Sequence, residues 1–189
     1  ELFSRVSNRP IIGITGSNGK STVTKLTETL LKAAGATVSM GGNIGPPVLD
    51  LLEQPTPDYY LLELSSFQLE ATSTLRPLTS AILNISPDHM DRYHDIDAYI
   101  EAKIRISALA GTTIINRDEE QLSRLIKSQA IDSPLVTFGL TEPCSEKDFG
   151  LIKKNHEKYL SCGSDLLIPA NDLRMEGIHN VANALAALA

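Results

Sequence analysis

The sequence predicts an α/β domain: a mostly parallel sheet flanked by helices, with a small antiparallel appendage near its end. Three observations lead there. Short apolar runs without polar alternation recur as far as Phe138, the pattern of strands buried on both faces. Helical patterns separate these runs, and parallel neighbours need such crossovers. A glycine-rich turn, Thr15 to Thr22, joins the first run to the first helix.

Pro10 to Thr15 is a β-branched apolar run entered through a proline and reads as a buried strand. Lys20 to Ala34 reads as a helix, because Val23, Leu26, Thr27, Leu30 and Leu31 repeat near a 3.6-residue period and Gly35 provides a stop. Ala36 to Met40 is the next strand. Gly41-Gly42-Asn43-Ile44-Gly45-Pro46-Pro47 is a loop by composition, followed by a short helix from Val48 to Glu53. Tyr59 to Leu64 and Ser80 to Ile85 are further apolar strands, with a turn or short helix at Phe67 to Leu75 between them. Then come a helix (Asp97 to Leu109), a strand (Thr112 to Asn116), a helix (Glu119 to Ser128) and a strand (Leu135 to Phe138). Charges and turn residues fill Glu142 to Lys158. The short strand signals at Phe149 to Ile152 and Asp165 to Pro169 supply the appendage, and a terminal helix starts near Asn180.

A chain of 189 residues with 42% hydrophobic content has room for one sizeable core. Seventeen basic against 23 acidic residues leave a net charge of −6, which argues against a nucleic-acid footprint or an anionic membrane surface. Cys144 and Cys162 are too few for a disulfide scaffold, and no apolar run is long enough to span a bilayer. The earliest methionine is Met40, and Asn183 to Ala189 reads as an unfinished helix, so the chain is expected to be a piece of a longer protein.

The sharpest local signal is the turn Thr15-Gly16-Ser17-Asn18-Gly19-Lys20-Ser21-Thr22. A strict Walker A pattern would place glycine where Ile14 stands. The physical ingredients are nevertheless in order: glycines let backbone N–H groups converge, Lys20 can reach β- and γ-phosphates, and the helix N-terminus favours anions. A helix cap on a plain turn is the competing reading, but the strand-to-helix junction favours a P-loop-type mononucleotide site. Gly16, Ser17, Asn18, Gly19, Lys20, Ser21 and Thr22 are then the nucleotide-binding residues, with Ser21 placed for Mg²⁺.

Other positions carry chemistry less specifically. Glu63 ends an apolar strand, where an unpaired carboxylate would be costly and a metal-holding one useful; a carboxylate reaching solvent is the alternative. His89 follows another strand and reads, alone, as a structural or surface histidine. Lys103 lies in a stripe with Tyr99, Ile100, Ile104 and Ser107, where its methylenes can cover apolar surface while the ammonium reaches water. Ser65, Ser66 and Gln68 follow Glu63, and hydrogen-bonding the turn is the first expectation for Ser66. Asn180 and Asn183 are either caps of the last helix or ligand contacts. Neither cysteine has a neighbourhood suited to a nucleophile.

These motifs together resemble the Mur ligases of bacterial cell-wall synthesis. Thr15 to Thr22 is similar to that family's phosphate loop. Gly41 to Gly45, Leu62 to Leu69 (Leu-Glu-Leu-Ser-Ser-Phe-Gln-Leu), Asn84 to Tyr93 and Gly177 to Ala184 strengthen the resemblance, which covers nearly the whole chain and is weakest from Thr141 to Asp172. It implies that residues 1–189 are the central ATP-binding domain of three, without the N-terminal UDP-binding and C-terminal ligase domains. It implies ATP-dependent ligation of D-glutamate to UDP-N-acetylmuramoyl-L-alanine through an acyl phosphate, in a cytoplasmic, monomeric enzyme of peptidoglycan precursor synthesis. Lys20, Glu63, His89 and Lys103 become catalytic. Glu63 and His89 hold Mg²⁺ beside the γ-phosphate, and Lys103 is carbamylated by CO₂ to serve the metal. Asn43, Ser65 and Tyr93 contact the sugar-nucleotide substrate, and Asn180 and Asn183 contact adenine. Another Mur or folylpolyglutamate-type ligase, a P-loop kinase or switch, and a non-catalytic nucleotide-binding domain are the alternatives.

Overall fold

The computed structural model describes residues 1–129 and 131–189. In chain order the elements are α1 (Leu2–Val6), β1 (Ile11–Thr15), α2 (Lys20–Ala33), β2 (Val38–Gly42), a 3₁₀ turn (Val48–Glu53), β3 (Tyr59–Glu63), α3 (Ser66–Glu70), β4 (Thr79–Ile82), α4 (Ile96–Ile104), β5 (Thr112–Asn116), α5 (Glu120–Ser128), β6 (Leu135–Phe138), β7 (Phe149–Lys154), β8 (Glu157–Cys162), β9 (Asp165–Pro169) and α6 (Ile178–Leu188). They build one nine-stranded sheet in the order β2-β3-β1-β4-β5-β6-β7-β8-β9. Pairing is parallel from β2 to β7 and antiparallel from β7 to β9.

The α/β class and the parallel order follow the apolar runs. Leu61 and Leu62 on β3, and Ile114 and Ile115 on β5, divide between two cores because successive strand residues face opposite sides. Leu62, Ile82, Ile104 and Ile115 pack on the face covered by α1, α3, α4 and α5. Ile14, Val23, Leu61, Phe138 and Leu185 pack on the face covered by α2 and α6.

Several boundaries move. The antiparallel part is continuous with the main sheet, since Phe149 of β7 pairs in parallel with Phe138 of β6. Strand β8 starts inside the charged stretch, at Glu157 and Lys158, and runs on through residues 159–162, for which no element was expected; α1 was not foreseen either. Strand β4 stops at Ile82, short of Ile85, and the helix expected from Asp97 to Leu109 leaves the α form after Ile104 for a 3₁₀ turn at Arg105–Ser107. Because β1, β3, β4 and β5 are parallel, their carboxyl ends share one edge of the sheet. In open α/β sheets that edge is where ligands bind.

Candidate active site

The glycine-rich loop runs from β1 into α2. Gly19 has φ +78°, and a Cβ there would lie 2.5 Å from Asn183 Oδ1, so glycine answers both the left-handed backbone and the close approach. It places Lys20, Ser21 and Thr22 in the first turn of α2, where backbone N–H groups have no intrahelical partner. Lys20 Nζ donates to the carbonyls of Gly16 (2.9 Å) and Ser17 (3.0 Å).

Glu63, at the end of β3, is 1% exposed, and both carboxylate oxygens are engaged. Oε2 accepts from Ser21 Oγ at 2.8 Å and Oε1 from Asn43 Nδ2 at 2.9 Å, while the Asn43 N–H donates to the Glu63 carbonyl at 2.8 Å. Gly42 lets β2 come this close: its φ is +112°, and a Cβ would sit 2.3 Å from that carbonyl oxygen. A buried carboxylate beside a serine hydroxyl fits Mg²⁺, which takes one or two protein oxygens and completes its shell with phosphate and water. Among the described residues, no three His, Cys, Asp or Glu side chains gather into an all-protein metal cluster.

Lys103 is 2% exposed, so the expectation of an ammonium reaching water does not hold. Its Nζ donates to the Gly16 carbonyl at 3.0 Å, the same oxygen Lys20 uses, and lies 4.4 Å from the Tyr99 ring centroid. Burial, reinforced by the charge of Lys20 and partly opposed by Asp88, lowers its pKa to about 7. The Tyr99 hydroxyl is 3.2 Å from Ser17 Oγ, and burial pushes its phenol up.

The remaining expected residues are placed differently. His89 has φ +56°, its ring centroid is 4.7 Å from that of Phe67, and its Nε2 is 3.6 Å from the Asp88 carboxylate. Among the described residues it makes no hydrogen bond to Glu63, Ser21 or the glycine-rich loop. Tyr93 is buried among Phe67 and Tyr99, and its hydroxyl has no partner among the described residues. Ser65 rather than Ser66 holds the turn after Glu63. It caps α3 in a capping box with Gln68, accepting from the Gln68 N–H while Gln68 Oε1 accepts from its own N–H at 2.9 Å.

Beside the loop lies a cleft of about 500 Å³, lined among others by Gly19, Asn84, Asn116, His179, Asn180 and Asn183. Asn180 Nδ2 donates to the Glu176 carbonyl at 2.7 Å, and Asn183 Nδ2 to Asn180 Oδ1 at 3.2 Å. Asn84, Tyr99, Asn116 and His179 were missed by sequence reasoning. Asn116 had a signal, since it ends an apolar strand as Glu63 does, and Asn84 opens the motif that continues to Tyr93.

Known proteins resemble this chain. The Mur ligase middle domain model matches residues 14–189. Over its whole length the chain is 50% identical to the UDP-N-acetylmuramoylalanine--D-glutamate ligase of Nitrosococcus oceani and 46% identical to that of Vibrio vulnificus. It spans 41% and 42% of those relatives' lengths. Among solved structures, a UDP-N-acetylmuramoyl-L-alanyl-D-glutamate--2,6-diaminopimelate ligase superposes with a TM-score of 0.79 at 23% identity, over 97% of this chain and 43% of that one. The MurF ligase of Thermotoga maritima in complex with ADP gives 0.72 at 16% identity, over 99% and 46%. These two likenesses speak for the fold. A family match that runs unbroken from Ile14 in β1 to Ala189, and so takes in the loop, the strand-end carboxylate and the buried lysine, makes the chain a member of the Mur ligase family, of which it is a middle domain.

Proposed function

We propose that this chain is the ATP-binding domain of a cytoplasmic, monomeric enzyme that joins D-glutamate to UDP-N-acetylmuramoyl-L-alanine in building cell-wall precursors. The observation that carries the reading is the convergence of Lys20, Ser21, Asn43, Glu63 and Lys103 on one sheet edge. The 46–50% identity to D-glutamate ligases supports the choice of substrate.

In the proposed reaction the substrate carboxylate attacks the γ-phosphate, giving an acyl phosphate and ADP. The amine of D-glutamate then attacks the carbonyl, and phosphate leaves. Bringing one anion to another is the obstacle. The free N–H groups of the first turn of α2 receive phosphate oxygens, and Lys20 moves its ammonium from the Gly16 and Ser17 carbonyls to the same charge. Ser21 and Glu63 would hold one Mg²⁺, and Glu63 with His89 a second, and the ions would supply further neutralisation. The lowered pKa of Lys103 favours the neutral amine, which would take up CO₂ and release a proton, giving a carbamate anion that could serve as a metal ligand. On this reading Asn43, Ser65 and Tyr93 meet the sugar nucleotide, and Asn180 and Asn183 border adenine in the 500 Å³ cleft.

Calorimetric titration with ATP and Mg²⁺ is expected to show binding by the chain and a loss of about tenfold or more in Lys20→Ala. Equal affinity would sink the phosphate-loop assignment. The full-length enzyme, offered UDP-N-acetylmuramoyl-L-alanine and a panel of amino acids, is expected to consume D-glutamate; preference for another amino acid overturns the substrate. The 189-residue chain alone is expected to bind nucleotide and form no amide.

A further inference from the structure

Asn84, just past β4, makes an unusual set of contacts with the phosphate loop. Its side chain grips both polar groups of the Asn18 backbone: Oδ1 accepts from the N–H at 2.8 Å, and Nδ2 donates to the carbonyl at 2.8 Å. Its own carbonyl accepts from the Ser17 N–H at 3.0 Å. Two residues on, the Ser86 N–H donates to Ser17 Oγ at 3.0 Å, and Asn18 Nδ2 donates to Ser86 Oγ at 3.1 Å. The loop is zipped to the segment after β4.

The zipper sorts the loop's amides. Those of Ser17 and Asn18 are consumed, and among the described residues the run that stays free begins at Gly19 and continues through Lys20, Ser21 and Thr22 in the first turn of α2. A carbonyl turned toward a bound anion repels it, and the Asn18 carbonyl is pinned by an amide that can only donate. Gly16 reinforces the fit: a Cβ on it would lie 3.1 Å from Leu83 Cβ and 3.4 Å from the Asn84 nitrogen, so loop and segment are in van der Waals contact.

We propose that Asn84 is a positioning residue for phosphate binding, acting through the Asn18 peptide to fix which loop amides face the anion. The inference rests on the phosphate-loop reading above. Asn84 need not touch the nucleotide's phosphates itself.

The test uses the 189-residue chain and three probes: Mg·ATP, Mg·tripolyphosphate and adenosine. Asn84→Ala is expected to weaken ATP and tripolyphosphate by a similar factor, about tenfold each; adenosine reports separately on the cleft that Asn84 also lines, and a loss seen with adenosine but not with tripolyphosphate overturns the proposal. Asn84→Asp conserves size and the acceptor for the Asn18 N–H but cannot donate to its carbonyl. Hydrogen exchange should find that N–H still protected in Asn84→Asp and at least about tenfold faster in Asn84→Ala, with the interior amides of α2 unchanged in both. Wild-type affinity for tripolyphosphate in either folded variant overturns the proposal. So does unchanged protection of Asn18 in Asn84→Ala. A wild-type chain that binds neither ATP nor tripolyphosphate overturns the phosphate-site reading, and the clamp falls with it; the Lys20→Ala control tells these two failures apart.

Discussion

Lys103 shows how one buried side chain links stability to chemistry. An ammonium enclosed by Tyr99 and close to Lys20 has lost water and gained a like charge, and its pKa of about 7 records both. In the unfolded chain the same lysine titrates near 10.4. Below about pH 7 both states are protonated and the fold carries the full penalty of the buried charge. Between the two pKa values the unfolded chain holds the extra proton, so stability rises with pH, by at most about 1.4 kcal/mol per unit. Urea unfolding of the wild type and Lys103→Met should therefore differ in slope: relative to the methionine variant, the wild type gains stability from about pH 7 to pH 9. Parallel pH profiles would show that the ammonium is solvated after all. The direction also suits the proposed carbamate, because the population that gains stability is the neutral amine.

At the scale of elements, α3 is the clearest case of a local device setting functional geometry. Five residues are too few to nucleate a helix on their own, so Ser66–Glu70 depends on its cap and on packing of Leu69. Ser65 supplies the cap two residues after Glu63, and so fixes the direction in which the chain leaves that carboxylate. Ser65→Ala is expected to cost about 1 kcal/mol in chemical denaturation, and Ser65→Asp, which restores an acceptor, to recover most of it. The same physics explains what could be read in advance. β1, β3, β5 and β6 are continuous apolar runs and were legible, as was the helix begun by Lys20. β8 was not, because Glu157-Lys158-Tyr159-Leu160-Ser161-Cys162 belongs to the antiparallel part, where only some side chains are buried and charges are tolerated at the free positions. α1 was not legible either: its place depends on Phe3, whose ring meets that of Tyr60 edge-on at 4.9 Å, a contact between distant parts of the chain. Glu63 and the loop lysine announced themselves by position. Tyr99 did not, and Asn84 did so only as the start of a motif, since their contacts with backbone carbonyls, N–H groups and rings arise only after folding.

For the whole molecule, the question is how a nine-stranded sheet that changes from parallel to antiparallel stays one unit. β6 and β7 share one paired position, Phe138 with Phe149. Further ties hold the antiparallel strands, two of them bearing on the cleft and on the end of β5. One is apolar: Leu151 and Leu160 lie in the same core as Ala184 and Leu185 of α6, the helix whose first turn borders the cleft. The other is Arg117, directly after β5, whose guanidinium donates to the carbonyls of Phe149 (2.6 Å), Thr141 (2.5 Å) and Glu142 (3.1 Å) and thereby ties the β6–β7 connection to the end of β5. Hydrogen bonds to a charged donor contribute about 1.5–3 kcal/mol each in favourable settings, and partial exposure of this site lowers that figure. Arg117→Met is expected to destabilise the fold by about 2 kcal/mol. It should do so unevenly, because the apolar tie to α6 remains: hydrogen exchange should quicken first across Phe149–Lys154 and Glu157–Cys162, with β1, β3 and β4 protected as before. Uniform acceleration through all nine strands would mean that the sheet opens as a single unit and that Arg117 merely contributes to its sum. Selective opening would mean that the antiparallel strands form a separable layer of stability that reaches the cleft through α6. If the proposed nucleotide site is right, Mg·ATP should then slow exchange in β7 and β8, strands that do not line the cleft.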